Sequence, residues 1–185
     1  EALKEIKSRI ESGYIEIESR SEITNNHIHT KFSFSPYSPT MAVFLGYQAG
    51  LASIGIMDHD SIAGAKEFIL AGRVIGIPTT IGFEIRCDWS GTKLEGKRLN
   101  NPDQISSSYI TAHGIPHDKI DEAEAFLKPI REARNARNKK EVIKINDLTS
   151  HLGITLDFEK DVVPISYNRA GGSITERHLM FALTK

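Results

Sequence analysis

Near the start of the chain, the spacing of hydrophobic and polar positions predicts one helix and then two strands. Apolar side chains at every third or fourth position over residues 2–12 predict an amphipathic helix. Strict alternation over residues 14–18 predicts a short strand at a sheet edge, and a further strand is predicted over about 23–29. We therefore expect an N-terminal helix with an edge strand over 1–22, followed by the main domain over 23–185.

Apolar runs then alternate with helical patterns. Ser38 and Pro39 predict a helix start, as the N-cap and the first helical residue. Buried strands are predicted over 51–57 and 77–85, with a helix over about 60–76 between them. This order predicts the parallel βαβ units of an α/β fold, whose strands end at one edge of the sheet, where the active sites of such folds gather.

The later part of the chain is less regular. Residues 88–108 are polar and predict a loop, and 109–113 predict a strand. A long helix is predicted over 118–140, with a break near Pro129. The basic side chains of this helix are interspersed with acidic ones, which favours a solvated face: Arg131, Arg134, Arg137, Lys139 and Lys140.

The composition is that of an ordinary soluble globular protein, with 39% hydrophobic and 25% charged residues among 185. The net charge of -1 gives no basic field, so nucleic acid is a less favoured partner. The single cysteine, Cys87, excludes an intramolecular disulfide and suits a reducing compartment, so we expect a cytoplasmic protein. No apolar run approaches the roughly 20 residues of a membrane span.

Both ends of the sequence favour a longer protein. The chain starts at Glu1 within a helical pattern, and the apolar residues of 179–183 still continue a helix at the other end. We therefore expect a piece of a larger chain, whose exposed sheet edges would favour association into an oligomer.

Histidines and one glutamate follow the predicted strands. His27 and His29 lie two positions apart at a strand end, so both face one side. His59 follows the next strand, Glu84 lies near the end of the third, and His113 ends the fourth. We expect these side chains to meet at one edge. Imidazole with carboxylate suits Zn, Mn or Fe, and so many ligands suit two or three ions, which activate a water and neutralise a phosphate.

Other titratable residues have supporting or structural interpretations. Asp58 is a candidate to accept the second N–H of a metal-bound imidazole. Asp60 could do the same or cap the following helix. His117 and His151 have no motif around them and are predicted to be surface residues.

The last helix is predicted from a capping box, with Ser173 as N-cap and Glu176 three residues later. This places Arg177 and His178 in its early turns. His178 is a candidate metal ligand, although packing on the helix face or phosphate binding would also explain it. Arg177 is a candidate phosphate clamp, because the guanidinium fork matches phosphate geometry, with solvation on the helix face as the alternative.

Five short motifs occur in order along the chain: NHIHT at 26–30, MDHD at 57–60, GFE at 82–84, ITAHG at 110–114 and ERH at 176–178. In this order they resemble the polymerase-and-histidinol-phosphatase (PHP) superfamily of metal-dependent phosphoesterases. The resemblance extends over about residues 23–183. The ordered series is more specific than any one of its motifs.

The resemblance implies an α/β fold of the distorted TIM-like (β/α)7 barrel type, incomplete in this chain, with metal ligands at the C-terminal ends of its strands. The implied ligands are His27, His29, His59, Glu84, His113 and His178. The resemblance also implies an aspartate where this chain has Ser33-Phe34-Ser35, and a closing Asp-x-His pair that does not occur before Lys185.

The activity implied by the resemblance is hydrolysis of a phosphate ester by a metal-activated water, with a phosphorylated small molecule as substrate. Asp58 and Arg177 would support catalysis. A nuclease or nucleotide phosphodiesterase is one alternative. A non-catalytic metal-binding or regulatory domain, marked by Phe34 in place of the aspartate, is another. Loops such as 88–108 would select the substrate.

Overall fold

The computed structural model describes all 185 residues. Four strands form one sheet: β1 (Thr24–Ile28), β2 (Ser53–His59), β3 (Thr79–Asp88) and β4 (Ser107–His113). The α-helices are α1 (Ala2–Glu11), α2 (Pro39–Gln48), α3 (Ala65–Ile75), α4 (Ile120–Thr149) and α5 (Glu176–Leu183). Short helical turns occupy much of the chain between α4 and α5. The mixed α/β class predicted from the sequence is therefore confirmed.

The strands follow their chain order in the sheet, β1-β2-β3-β4. β1, β2 and β3 are parallel, so their C-terminal ends lie at one edge, and His59 on β2 is in register with Glu84 on β3. The predicted βαβ units are confirmed for these strands. β4 runs antiparallel to β3, so its end at His113 lies opposite Gly82, toward the other edge. The expectation that a fourth strand ends at the same edge is therefore wrong.

The main core lies between the sheet and the helices α2 and α3. Val43, Ile54, Phe68 and Ile81 are almost completely buried, and burying one such side chain stabilises the fold by about 1.5–3 kcal/mol. Gly46 lets α2 approach β2, because a Cβ at this position would lie 2.8 Å from Cγ2 of Ile54. This core holds the strands whose ends carry the candidate ligands.

A second core joins the C-terminal half of α4 to α5. Its buried side chains are Val142, Leu156, Phe158, Val162, Val163, Ile174, Leu179 and Ala182. α4 has 30 residues, a length of roughly 45 Å. It continues through Pro129, where the sequence predicts a break, because Leu127 and Arg131 on either side of the proline are buried and hold this turn. None of the helices combines the length and the apolar composition that crossing a membrane requires.

Other element boundaries also differ from the predictions. Residues 14–18 form no strand, because hydrogen bonds attach the neighbouring main chain to the end of α2 instead of to the sheet. α3 begins at Ala65, because Asp60 adopts a left-handed conformation (φ +47°) that does not start a helix. The N-cap of α5 is Thr175 rather than Ser173.

Candidate metal centre

The ends of the three parallel strands bring three imidazoles to one carboxylate oxygen. Oε2 of Glu84 lies 3.2 Å from Nε2 of His27 and 3.6 Å from Nε2 of His29. It also lies 3.3 Å from Nδ1 of His59. His27, His29 and Glu84 offer ligand atoms that all lie within 4.8 Å of one another. The prediction that these strand ends meet is confirmed for this cluster.

A bulge in β1 adjusts the position of the paired histidines. The register with β2 shifts between Asn25 and Ile28, and Oδ1 of Asn25 accepts a hydrogen bond from the His27 N–H at 3.1 Å. The rings of His27 and His29 then meet edge to face, with centroids 5.0 Å apart. Bulges re-aim side chains near functional sites, and here both imidazoles reach the same glutamate.

His29 and His59 are held in their neutral forms. Their rings stack with centroids 4.6 Å apart. Burial, reinforced by the neighbouring His29, lowers the pKa of His59 to about 3. Burial also lowers the pKa of His29, although Glu84 opposes this shift. Both imidazoles therefore keep a lone pair for a metal at neutral pH.

The cluster passes a test of fit for a metal ion. Nδ1 of His59 is buried and makes no hydrogen bond, although Oε2 of Glu84 lies 3.3 Å away, and a buried polar atom without a hydrogen bond is rare unless something binds to it. The donor set of imidazole nitrogens with one carboxylate suits Zn, Mn or Fe. Imidazoles and Glu84 from three strands could therefore hold a divalent cation.

Asp58 supports the cluster indirectly. It is buried, and it accepts hydrogen bonds from the N–H and the hydroxyl of Thr30, at 2.6 and 2.5 Å, and from the hydroxyl of Ser33 at 2.6 Å. Burial raises the pKa of Asp58, although these hydrogen bonds oppose the shift. Asp58 bonds to no imidazole, which corrects the expected direct contact, since Ser33 stands between it and His29 with its hydroxyl 3.5 Å from Nδ1.

A cleft of about 350 Å³ opens beside the cluster. His29, His59 and Glu84 lie along it, and both Tyr109 and Arg177 contribute to its walls. Arg177 is exposed, takes part in none of the ion pairs of the structure, and its charge helps to lower the pKa of His29. Its guanidinium is therefore free to bind an anion next to the histidines.

Two buried arginines anchor α4 to the end of β2. Arg134 pairs with the carboxylate of Asp60, and Arg131 donates to the Asp60 carbonyl at 3.0 Å. The predicted solvated face is therefore wrong for these two residues. Their signal in the sequence is the periodicity of the buried face of α4, in which they follow Leu127 and precede Asn138.

The structure does not bring His178 into the cluster. It is buried, and its Nδ1 accepts the N–H of Thr175 at 3.0 Å, which makes it the N3 residue of the capping box of α5. Burial lowers the pKa of His178 to about 4. Phe34, at the position where the resemblance implies an aspartate, packs edge to face on the His178 ring at 4.8 Å.

His113 also lies apart from the cluster. It is exposed, it stands opposite Gly82, and Gly82 precedes Glu84 by two residues on β3. The reason is the antiparallel direction of β4, which turns the strand end away from the shared edge. The ligand roles of His113 and His178 stay predictions.

No family model matches the chain. A 5'-3' exoribonuclease from Haemophilus influenzae is 25% identical over 156 residues, which cover 82% of this chain and 47% of that protein.

Solved structures share the fold at low sequence identity. A candidate metal-dependent phosphoesterase from Bifidobacterium adolescentis matches with a TM-score of 0.67 and 22% identity, over 90% of this chain and 51% of that chain. An amidohydrolase from Chromobacterium violaceum, determined with bound sulfate and no metal, matches with a TM-score of 0.66 and 23% identity, over 87% and 49%. The chain thus spans about half the length of the relatives it matches. The chain shares the fold of these two solved structures, and this fold agrees with the resemblance indicated by its motifs.

Proposed function

We propose that this chain hydrolyses phosphate esters in the cleft beside His29, His59 and Glu84. The observation that carries the proposal is the convergence of three imidazoles on Oε2 of Glu84. Divalent metal ions bound there would supply an activated water and neutralise the charge of the phosphate. The proposal includes a PHP-type barrel, two or three Zn, Mn or Fe ions, a phosphorylated small-molecule substrate and a cytoplasmic location.

In this proposal some side chains at the cleft bind the metal ions and another binds the substrate. His27, His29, His59 and Glu84 would hold the ions. Arg177 binds the phosphate oxygens through its unpaired guanidinium, because planar bidentate contacts suit phosphate.

Asp58 acts as a positioning residue in this proposal. Its carboxylate fixes Thr30 and Ser33, and the Ser33 hydroxyl lies against His29. The turn after β1 is therefore held in one arrangement before any ion binds. The ligand roles of His113 and His178 stay separate predictions with their own tests.

Metal binding tests the proposal without any assumption about the substrate. The purified protein is stripped with EDTA, reloaded with Zn, Mn or Fe, and analysed for bound metal. We expect the His27→Ala/His29→Ala variant to lose affinity by more than the roughly 10–100-fold that an outer-shell change causes. The matched control is His117→Ala/His151→Ala, which removes two exposed histidines and keeps the bound metal.

Turnover of p-nitrophenyl phosphate by the metal-loaded protein is the second measurement. We expect hydrolysis by the wild type and by the His117→Ala/His151→Ala control, and none by the His27→Ala/His29→Ala variant. A metal-loaded wild type that hydrolyses no phosphate ester would overturn the enzymatic proposal. It would favour the non-catalytic metal-binding domain that Phe34 indicates.

A nuclease is the second candidate function. The observation that favours it is the Haemophilus influenzae exoribonuclease, whose match extends over 82% of this chain. The net charge of -1 argues against a long nucleic-acid contact surface. A short 5'-phosphorylated RNA decides between the two: release of mononucleotides supports the nuclease, and removal of the terminal phosphate alone contradicts it.

A further inference from the structure

One side of α2 presents apolar side chains to solvent. Met41 and Leu45 are the exposed residues of this helix, at 47% and 37% of their full surface. They lie four residues apart, so they are neighbours on one face of the helix. Tyr37, directly before the N-cap Ser38, adds an aromatic ring that is 44% exposed at the start of the same helix. Tyr37, Met41 and Leu45 together define the α2 face.

The α2 face lies in a part of the chain that has no charge. Residues 32–57 contain no acidic side chain, no basic side chain and no histidine. The exposed residues of α3, by contrast, include Lys66 and Arg73, and charged side chains of this kind are typical of a solvated helix face. Exposed apolar surface that lacks charge and presents Tyr and Met has the composition of the centre of a protein interface. The α2 face is therefore a contact surface.

The lack of charge also selects the partner. A partner with a charged surface would gain no ion pair at the α2 face and would lose the hydration of its own charges. A second copy of the same face brings only uncharged groups together. A two-fold axis places a patch against the identical patch of the other subunit, and this is the commonest symmetry of soluble oligomers. The α2 face of another copy is therefore the partner that costs least to desolvate.

The size of the α2 face limits the strength of such a contact. α2 has 10 residues, a length of roughly 15 Å. A contact centred on so short a helix buries less than the roughly 800 Å² per partner that is usual in stable complexes. We therefore expect a weak dimer, with a dissociation constant on the order of 0.1 mM.

We propose that the α2 face packs against the α2 face of a second copy in a two-fold symmetric homodimer, with the axis next to Met41, the middle residue of the three. The inference is independent of the proposed function, so its tests use no turnover. The sequence favours an oligomer through exposed sheet edges, and the structure points to a helix face instead.

Sedimentation equilibrium of the purified protein, from about 1 µM to about 1 mM, tests the dimer. We expect the average mass to rise from that of a monomer toward that of a dimer. Met41→Glu should weaken association by at least about tenfold, because two like charges then meet at the axis. The change does not threaten the fold, because it lies three residues after Ser38 and completes a capping box. The matched control is Leu70→Glu, at a 62% exposed position of α3, which should dimerise like the wild type.

Two results would contradict the dimer. A wild type that stays monomeric over the whole range would overturn the proposal, and its binding to phosphatidylcholine vesicles would then assign the α2 face to a lipid surface. A dimer that Met41→Glu leaves intact would place the interface elsewhere on the molecule, which overturns the proposal as well.

Disulfide cross-linking tests the position of the axis. In a Cys87→Ser background, Met41→Cys and Leu70→Cys each leave one cysteine, at an exposed helix position. A residue next to a two-fold axis faces its own copy, within reach of a disulfide. After oxidation at about 0.1 mM protein we expect mostly linked dimer for Met41→Cys and mostly monomer for Leu70→Cys. Linkage of neither variant, or equal linkage of both, would overturn the proposed axis and with it the proposed dimer.

Discussion

The three parallel strands and the segment that follows them reach the cleft in different ways. β1, β2 and β3 end at one edge, and each contributes side chains to the cluster around Glu84. From β4 onward the chain reaches the cleft through Tyr109 on β4, through Arg134, which pairs with Asp60, and through the start of α5. His113 and His178 both lie in this later segment, and neither joins the cluster.

Strand direction accounts for much of the difference. In parallel strands a position at the strand end is enough to place a side chain at the shared edge. β4 reverses direction, so the same position in its sequence places His113 toward the opposite edge. The parallel strands therefore supply the candidate ligands, and the later segment supplies cleft walls such as Tyr109 and Arg177.

Arg134→Ala has the largest expected effect, because it removes the ion pair that connects α4 to Asp60 at the end of β2. Arg134 and Asp60 pair with side chains that are only 6% and 1% exposed. Removing one partner leaves an uncompensated buried charge, so we expect the free energy of unfolding to fall by about 3–5 kcal/mol. Urea denaturation measures this change.

Arg137→Ala is the matched control on the same helix. Arg137 pairs with Glu176 at 2.8 Å and with Glu141 at 3.3 Å, and its side chain is 32% exposed. Exposed pairs contribute little, so we expect a loss of about 0.2–1 kcal/mol. Equal losses for the two variants would contradict a special anchoring role for Arg134.

Glu84→Gln tests the metal cluster at the ends of the parallel strands β1, β2 and β3. The change keeps the shape of the side chain and removes the charge next to His27, His29 and His59. We expect metal affinity to fall by more than the roughly hundredfold that is the upper end for an outer-shell change, measured by calorimetric titration of Zn²⁺ into the stripped protein. Glu95→Gln, at an exposed loop position, is the control and should bind metal like the wild type. Unchanged affinity in Glu84→Gln would remove Glu84 from the site.

The parallel region could be predicted from the sequence because its information is local. Apolar runs locate β2 and β3, which carry His59 and Glu84 near their ends, and the two-residue spacing of His27 and His29 marks the end of β1, which is polar. Parallel βαβ connections then bring these strand ends together, as the structure confirms. No contact between distant segments is needed to find this cluster.

The structure of the segment from β4 to α5 depends on contacts with distant residues, which its local sequence patterns do not specify. A short apolar run such as β4 has the same pattern whether it pairs parallel or antiparallel. Two residues, Ser173 and Thr175, both suit an N-cap, and the buried imidazole of His178 selects Thr175. The arginines of α4 resemble a solvated face until their pairing with the end of β2 is known.

His178→Gln separates a capping role from a metal-ligand role. Glutamine at the third helical position preserves a capping box, whereas alanine removes it. We expect His178→Ala to lower the free energy of unfolding by about 1 kcal/mol, His178→Gln to lower it less, and both to bind metal like the wild type. Loss of metal from both variants would make His178 a ligand and bring the later region into the metal site.

The pH dependence of stability in metal-free protein tests the burial of His178. Its pKa is lowered from 6.5 to about 4 in the fold, so between these values the unfolded chain binds more protons than the folded one. The stabilisation is present above pH 6.5 and is lost as the pH falls toward about 4. We expect wild type to lose stability relative to His178→Gln across this window in urea denaturation series. Parallel pH profiles would mean that His178 is not buried as described.

His113→Ala has the smallest expected effect and bears most directly on the role of strand direction. His113 is exposed and stands opposite Gly82, on the strand that reverses the sheet direction. We expect a change of no more than about 0.5 kcal/mol in the free energy of unfolding and unchanged Zn²⁺ affinity in the calorimetric titration. His117→Ala, another exposed histidine nearby, should behave in the same way. If His113→Ala alone lost metal, the end of β4 would have to reach Glu84, and antiparallel pairing would no longer explain which histidines form the site.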